Sequence, residues 1–147
     1  ELGHVGGAED GEDDGYEEMY TETEKVNDFI ERADIDAMAV AIGTAHGQYK
    51  KTPVLDIGRL SDIYKISKKP LVLHGGSGLS EEDFKNTIAN GIRKVNICTE
   101  MCMAAYNAYN RAFNENTGFE KSINVAKDAV KDVVKGKMRL FQSSNKA

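Results

Sequence analysis

Two histidines stand out by their neighbours. His46 closes the run Gly43-Thr44-Ala45-His46-Gly47, and His74 opens the run His74-Gly75-Gly76-Ser77-Gly78. Imidazole is the commonest metal ligand in proteins. A catalytic zinc usually takes three protein ligands and leaves one position open, so two His supply part of such a set. The alternative for each is a capped or solvated side chain. The one other histidine, His4, lies in a stretch rich in Gly and acids. Gly75, Gly76 and Ser77 stand just ahead of a helix signal. Small residues there let backbone N–H groups approach a phosphate, and helix N-termini favour anions. Asn96-Ile97-Cys98-Thr99 precedes a further helix signal and offers a second set of donors. An ordinary tight turn is the alternative for each. No Gly-Lys-Ser/Thr follows, which excludes a Walker loop.

The elements that must position these residues follow from periodicity. Thr21 and Glu24 have the spacing of a capping box, and Val26, Phe29, Ile30 and Ala33 recur at helical spacing. Residues 37–42 form a short, continuous apolar run ending at Gly43, as expected of a strand buried on both faces. The pattern repeats as a helix from Asp56 to Ile66 and a strand over 70–73. A third helix is capped by Ser80 with Asp83 at its third position and stopped at Gly91. A third strand is expected over 94–97, a long helix over 99–114 and a last one over 119–134. Strands alternating with helices give α/β architecture with a parallel sheet. A full (β/α)₈ barrel takes about 250 residues, so the pattern fits a small open sheet or about half a barrel. In either, the C-terminal strand ends share one face, and His46, His74 and Asn96 converge there.

Composition narrows the classes of function. The chain has 147 residues, 40% hydrophobic and 29% charged, with a net charge of −5. That balance suits one globular domain and argues against nucleic acid, whose binders carry a basic face. No apolar run approaches the ~20 residues of a membrane span. Cys98 and Cys102 lie four apart and make no disulfide framework. Without a signal peptide, a reducing cytoplasmic setting is expected. Residues 3–18 hold five Gly and seven acids and read as a mobile loop, either a frayed terminus or a lid over a site. The chain opens at Glu1 instead of Met, which suggests a fragment, a processed chain or a missing first half.

Four segments, in order, make the sequence resemble the class II, metal-dependent ketose-bisphosphate aldolases, which act on fructose or tagatose bisphosphate. They are Glu1-Leu2-Gly3 with Gly6-Gly7-Ala8-Glu9-Asp10, the run 41–49 around His46, the run 73–78 around His74, and Val95-Asn96-Ile97-Cys98-Thr99-Glu100. The resemblance implies the C-terminal half of a TIM (β/α)₈ barrel: the end of the fifth strand and the sixth to eighth βα units. It implies Zn2+ held by three His, with His46 and His74 as two of them. The third, and a catalytic Asp, would stand in an N-terminal half that this chain lacks. Glu1 matches a carboxylate that joins an alternative metal position, and Glu9 a loop acid linked to proton transfer. Gly47, Gly75, Gly76, Ser77, Asn96, Ile97, Cys98 and Thr99 match the positions that bind dihydroxyacetone phosphate, beside a monovalent cation (Na+ or K+).

The implied partners are a phosphosugar, the missing half-barrel and further copies in a dimer or tetramer, with no nucleic acid and no membrane. The implied reaction is reversible cleavage of a ketose 1,6-bisphosphate, with residues 1–147 inactive on their own. A different class is a non-catalytic half-barrel that binds phosphosugar only or needs its complement. Fructose-specific members often carry Asp at the position of Cys98 and tagatose-type members Ala. Cys, small and uncharged, leans toward the tagatose type and leaves both epimers open.

Overall fold

A computed structural model describes residues 1–7, 20–49 and 51–146. They form two compact units, residues 1–97 and 98–147.

The first unit is built on three parallel strands: β1 (Met38–Val40), β2 (Leu71–Leu73) and β3 (Ile92–Val95), in the order β1-β2-β3. Met38, Ala39 and Val40 face Leu71, Val72 and Leu73 in register. Every residue of β1 and β2 is buried, as continuous apolar runs in a parallel sheet require. β3 begins two residues earlier than expected, with a buried Ile92 followed by exposed Arg93 and Lys94. Its pairing with β2 skips a residue, so that Leu71 faces Ile92 but Val72 faces Lys94. Arg93, at the irregularity, donates to the carbonyls of Ile88 and Ile92 and lies over the ring of Tyr64. Tyr64, expected on the apolar face of its helix, is 39% exposed.

Helices α1 (Val26–Ala33), α2 (Ile57–Ser67) and α3 (Glu81–Ala89) connect and flank the strands, α1 packing on α2 and α2 on α3. Their starts are local in origin. Asp56 accepts from the Arg59 backbone N–H ahead of α2. Ser80 and Asp83 form a reciprocal capping box ahead of α3, as expected. Leu60, Ile63 and Phe84 turn inward and are fully buried.

The expected capping box at Thr21 is not formed. A turn of 3-10 helix (Thr23–Lys25) precedes α1, and no side chain caps it. Thr21 is instead fully buried. Its hydroxyl accepts from the Ala41 N–H at 2.9 Å and donates to the Leu2 carbonyl. Thr21 thus stitches the N-terminal segment to the chain just past β1. Thr21→Val keeps the shape and strands both partners. An unsatisfied buried polar group costs about 1–3 kcal/mol, so we expect a stability loss of about 2 kcal/mol in urea titration of the complete protein.

Residues 3–7, placed in the loop by composition, are pinned. Leu2 bridges Val40 and Gly7 bridges His46, both parallel. Val5 is buried. The segment therefore runs beside β1 on its outer edge. The remainder of the expected loop, with Glu9, lies outside the described residues.

The second unit is a helical hairpin, α4 (Thr99–Asn114) and α5 (Phe119–Leu140). Ala108, Ala112 and Ser122 are its buried residues, small enough for close helix approach. The α4–α5 turn is tied by Thr117, whose hydroxyl donates to the Ala112 carbonyl and meets the Ser122 hydroxyl at 3.1 Å. α5 runs six residues past the expected end, and Ile123, Val125 and Val134 on it are more than a third exposed. Among the described residues no helix is long and apolar enough to cross a membrane.

Candidate active site

The loops leaving the C-terminal ends of β1 and β2 carry the two histidines. His46 is fixed through its backbone, whose N–H donates to the Gly6 carbonyl at 2.8 Å. His74 directly follows β2. Adjacent parallel strands end on the same side of the sheet, so the two imidazoles meet edge to face with ring centroids 5.7 Å apart. Asn96, one residue past β3, completes the row. Its Nδ2 lies 3.5 Å from His74 Nε2, a long contact, and its Oδ1 accepts from Lys94 Nζ. Lys94 thereby turns the NH2 edge of the amide toward the ring.

Burial is the main cause that holds the His74 pKa below the ordinary imidazole value. The Glu1 carboxylate opposes that shift, and the charges of His46 and Lys94 add to it. The result is a neutral imidazole near neutral pH, the form that ligates metals.

The fit to zinc is two ligands deep. Two imidazoles sharing a tetrahedral ion, each about 2.0–2.1 Å from it through nitrogen, place their ring centres roughly 5 Å apart. The observed separation agrees. Among the described residues, however, no three His, Cys, Asp or Glu side chains come together as a metal-holding group. Glu1 is felt by His74 as a charge and is no third member of the pair.

Gly75 and Gly76 bring the strand-end loops together. Gly75 has φ +65, and a Cβ there would stand 2.4 Å from the Ala45 carbonyl oxygen. A Cβ on Gly76 would stand 2.7 Å from Val95 Cγ1 and 3.0 Å from the Asn96 oxygen. One element of the expected phosphate cradle needs correction. The Gly76 N–H donates to the Asn96 carbonyl at 3.1 Å, so it links the second and third loops instead of facing a ligand. The Asn96 N–H is likewise used, donating to the Leu73 carbonyl. Gly47 and Ser77 stand in the first and second loops, Ser77 being buried, and Ile97 follows Asn96. Cys98 and Thr99 open the second unit. Cys98 and Cys102 form no disulfide; both are exposed, and their Sγ atoms lie 3.9 Å apart.

Tyr49 is the residue that sequence reading passed over. Its hydroxyl lies between the first two loops, donating to the Gly75 carbonyl at 2.7 Å and accepting from the Ala45 N–H at 3.3 Å. Its place three residues after His46 was the only available signal.

Comparison with known proteins bears on the fold and the family. An aldolase, YdjI of Escherichia coli, superimposes with a TM-score of 0.81 at 38% identity, over 88% of this chain and 48% of that one. A candidate fructose-1,6-biphosphate aldolase from Coccidioides immitis matches with a TM-score of 0.75 at 29% identity, over 98% of this chain and 51% of its own. A fructose-bisphosphate aldolase from Campylobacter jejuni, 21% identical, shares the fold with a TM-score of 0.73. The chain spans about half the length of these structures, as a half-barrel should. The class-II fructose-bisphosphate aldolase family model matches residues 1–146, and the chain belongs to that family.

Proposed function

We propose that residues 1–147 are the C-terminal half of an enzyme that reversibly cleaves a ketose 1,6-bisphosphate into dihydroxyacetone phosphate and glyceraldehyde 3-phosphate. The observation that carries this is the His46–His74 pair at 5.7 Å on adjacent strand ends, in a chain of the class-II aldolase family. His46 and His74 hold zinc together with a third His from the N-terminal half. The metal supplies a Lewis acid that stabilises negative charge developing on the substrate oxygens.

The chain's own residues do the rest. The three strand-end loops, with Gly47 in the first, Gly75 and Ser77 in the second and Ile97 in the third, receive the substrate phosphate. They thereby orient the reacting carbons. A monovalent cation, Na+ or K+, sits beside that phosphate. Asn96, held by Lys94, presents its amide to His74 and to substrate. Glu9, outside the described residues, is the acid linked to proton transfer at the reacting carbon. With two of three imidazoles, residues 1–147 alone hold zinc weakly and do not turn over. The complete protein works in the cytoplasm as a homo-oligomer.

A coupled assay of the complete protein on fructose and tagatose 1,6-bisphosphates, with and without a chelator, tests the proposal. Cleavage of at least one epimer, lost with chelator and restored by zinc, is expected. No cleavage of either, or cleavage indifferent to chelator, overturns it.

A further inference from the structure

We propose that Tyr49 is a positioning residue that sets the spacing of the two imidazoles. One phenolic oxygen joins two loops that are far apart in sequence. It accepts from Ala45 N–H at 3.3 Å, and Ala45 is the residue before His46. It donates to the Gly75 carbonyl at 2.7 Å, and Gly75 is the residue after His74. The oxygen is thus one residue from each histidine, and the β1–β2 register alone would leave those loops free to slide past each other. The ring is held as well, for a Cβ on Gly78 would stand 3.2 Å from Tyr49 Cδ2. Gly75, with its positive φ and no side chain, lets the Ala45 carbonyl approach closely enough for one hydroxyl to span both backbones.

The consequence for metal rests on the proposal that His46 and His74 share an ion. A pair spaced in advance loses less freedom when the ion binds. Groups that orient ligands without touching the metal are typically worth 10–100-fold in affinity.

Tyr49→Phe in the complete protein removes the hydroxyl and keeps the ring. Two measurements are needed. The first is hydrogen exchange of the zinc-free protein. Peptides covering 44–49 and 74–78 should lose protection together, with the helices unchanged. The second is zinc affinity by competition with a chromophoric chelator. It should weaken 10–100-fold, with kcat at saturating zinc within about threefold of the parent. Unchanged exchange in both loops overturns the clamp. So does unchanged zinc affinity in a protein that loses zinc through His46→Ala. If the loops loosen while His46→Ala and His74→Ala both keep zinc, the clamp stands and the ligand assignment falls.

Discussion

His46→Ala and His74→Ala, each made in the complete protein, lower kcat/KM by roughly 10³-fold or more and reduce bound zinc well below one equivalent per chain. The size follows from the work asked of the ion. A Lewis acid supplies several kcal/mol to the transition state, and about 4 kcal/mol corresponds to about 10³ in rate. Neither change should unfold the protein. The His46 contact with the N-terminal segment runs through its backbone N–H, which Ala keeps. His74 is only half-buried, and its ring contacts are a long one to Asn96 and the edge-to-face one to His46. Retained circular dichroism with lost zinc is therefore the expected pattern. Full activity and full zinc content in either variant would remove that residue from the metal site.

Gly75→Ala should do comparable damage by a different route. The residue has φ +65, where a side chain costs about 1–2 kcal/mol. Its Cβ would stand 2.4 Å from the Ala45 carbonyl oxygen and 2.8 Å from the carbonyl carbon, both backbone atoms that cannot rotate away. The two loops must part, which breaks the Tyr49 hydrogen bond and spreads the histidines. We expect a stability loss of about 2–4 kcal/mol and zinc affinity at least tenfold weaker, read by denaturant titration and chelator competition. Gly136→Ala is the control. It sits in α5 with nothing within 4 Å of an added Cβ, and the substitution should stabilise by about 0.5–1 kcal/mol. A Gly75→Ala protein as stable as this control would mean that the loops are not tightly opposed.

Both variants act where three short loops meet, and those loops differ in how readable they are. β1 and β2 are legible because a strand buried on both faces must be apolar throughout, and a short apolar run ended by glycine leaves few other readings. The Ser80–Asp83 cap is legible because both partners lie within one turn. Thr21 is the opposite case. Its spacing to Glu24 suits a cap, yet its hydroxyl serves Leu2 and Ala41, 19 and 20 residues away. A buried acceptor and donor brought together by the fold outcompete a local cap that water can satisfy. β3 lies two residues ahead of the expected 94–97 because charged Arg93 separates Ile92 from the rest of the apolar pattern, and the Gly76 N–H is engaged by Asn96, which directly follows β3.

Residue order alone determined that β and α segments alternate, that the sheet is parallel and that both histidines fall at strand ends. These follow from local periodicity and from the geometric rule that parallel strands share one C-terminal face. Only the folded chain decided the 5.7 Å between the rings, the Tyr49 bridge and which amides in the glycine loops are already engaged. Each depends on backbone groups from different strands meeting within a few ångströms, and such distances are set by register and packing, which no spacing along the chain encodes.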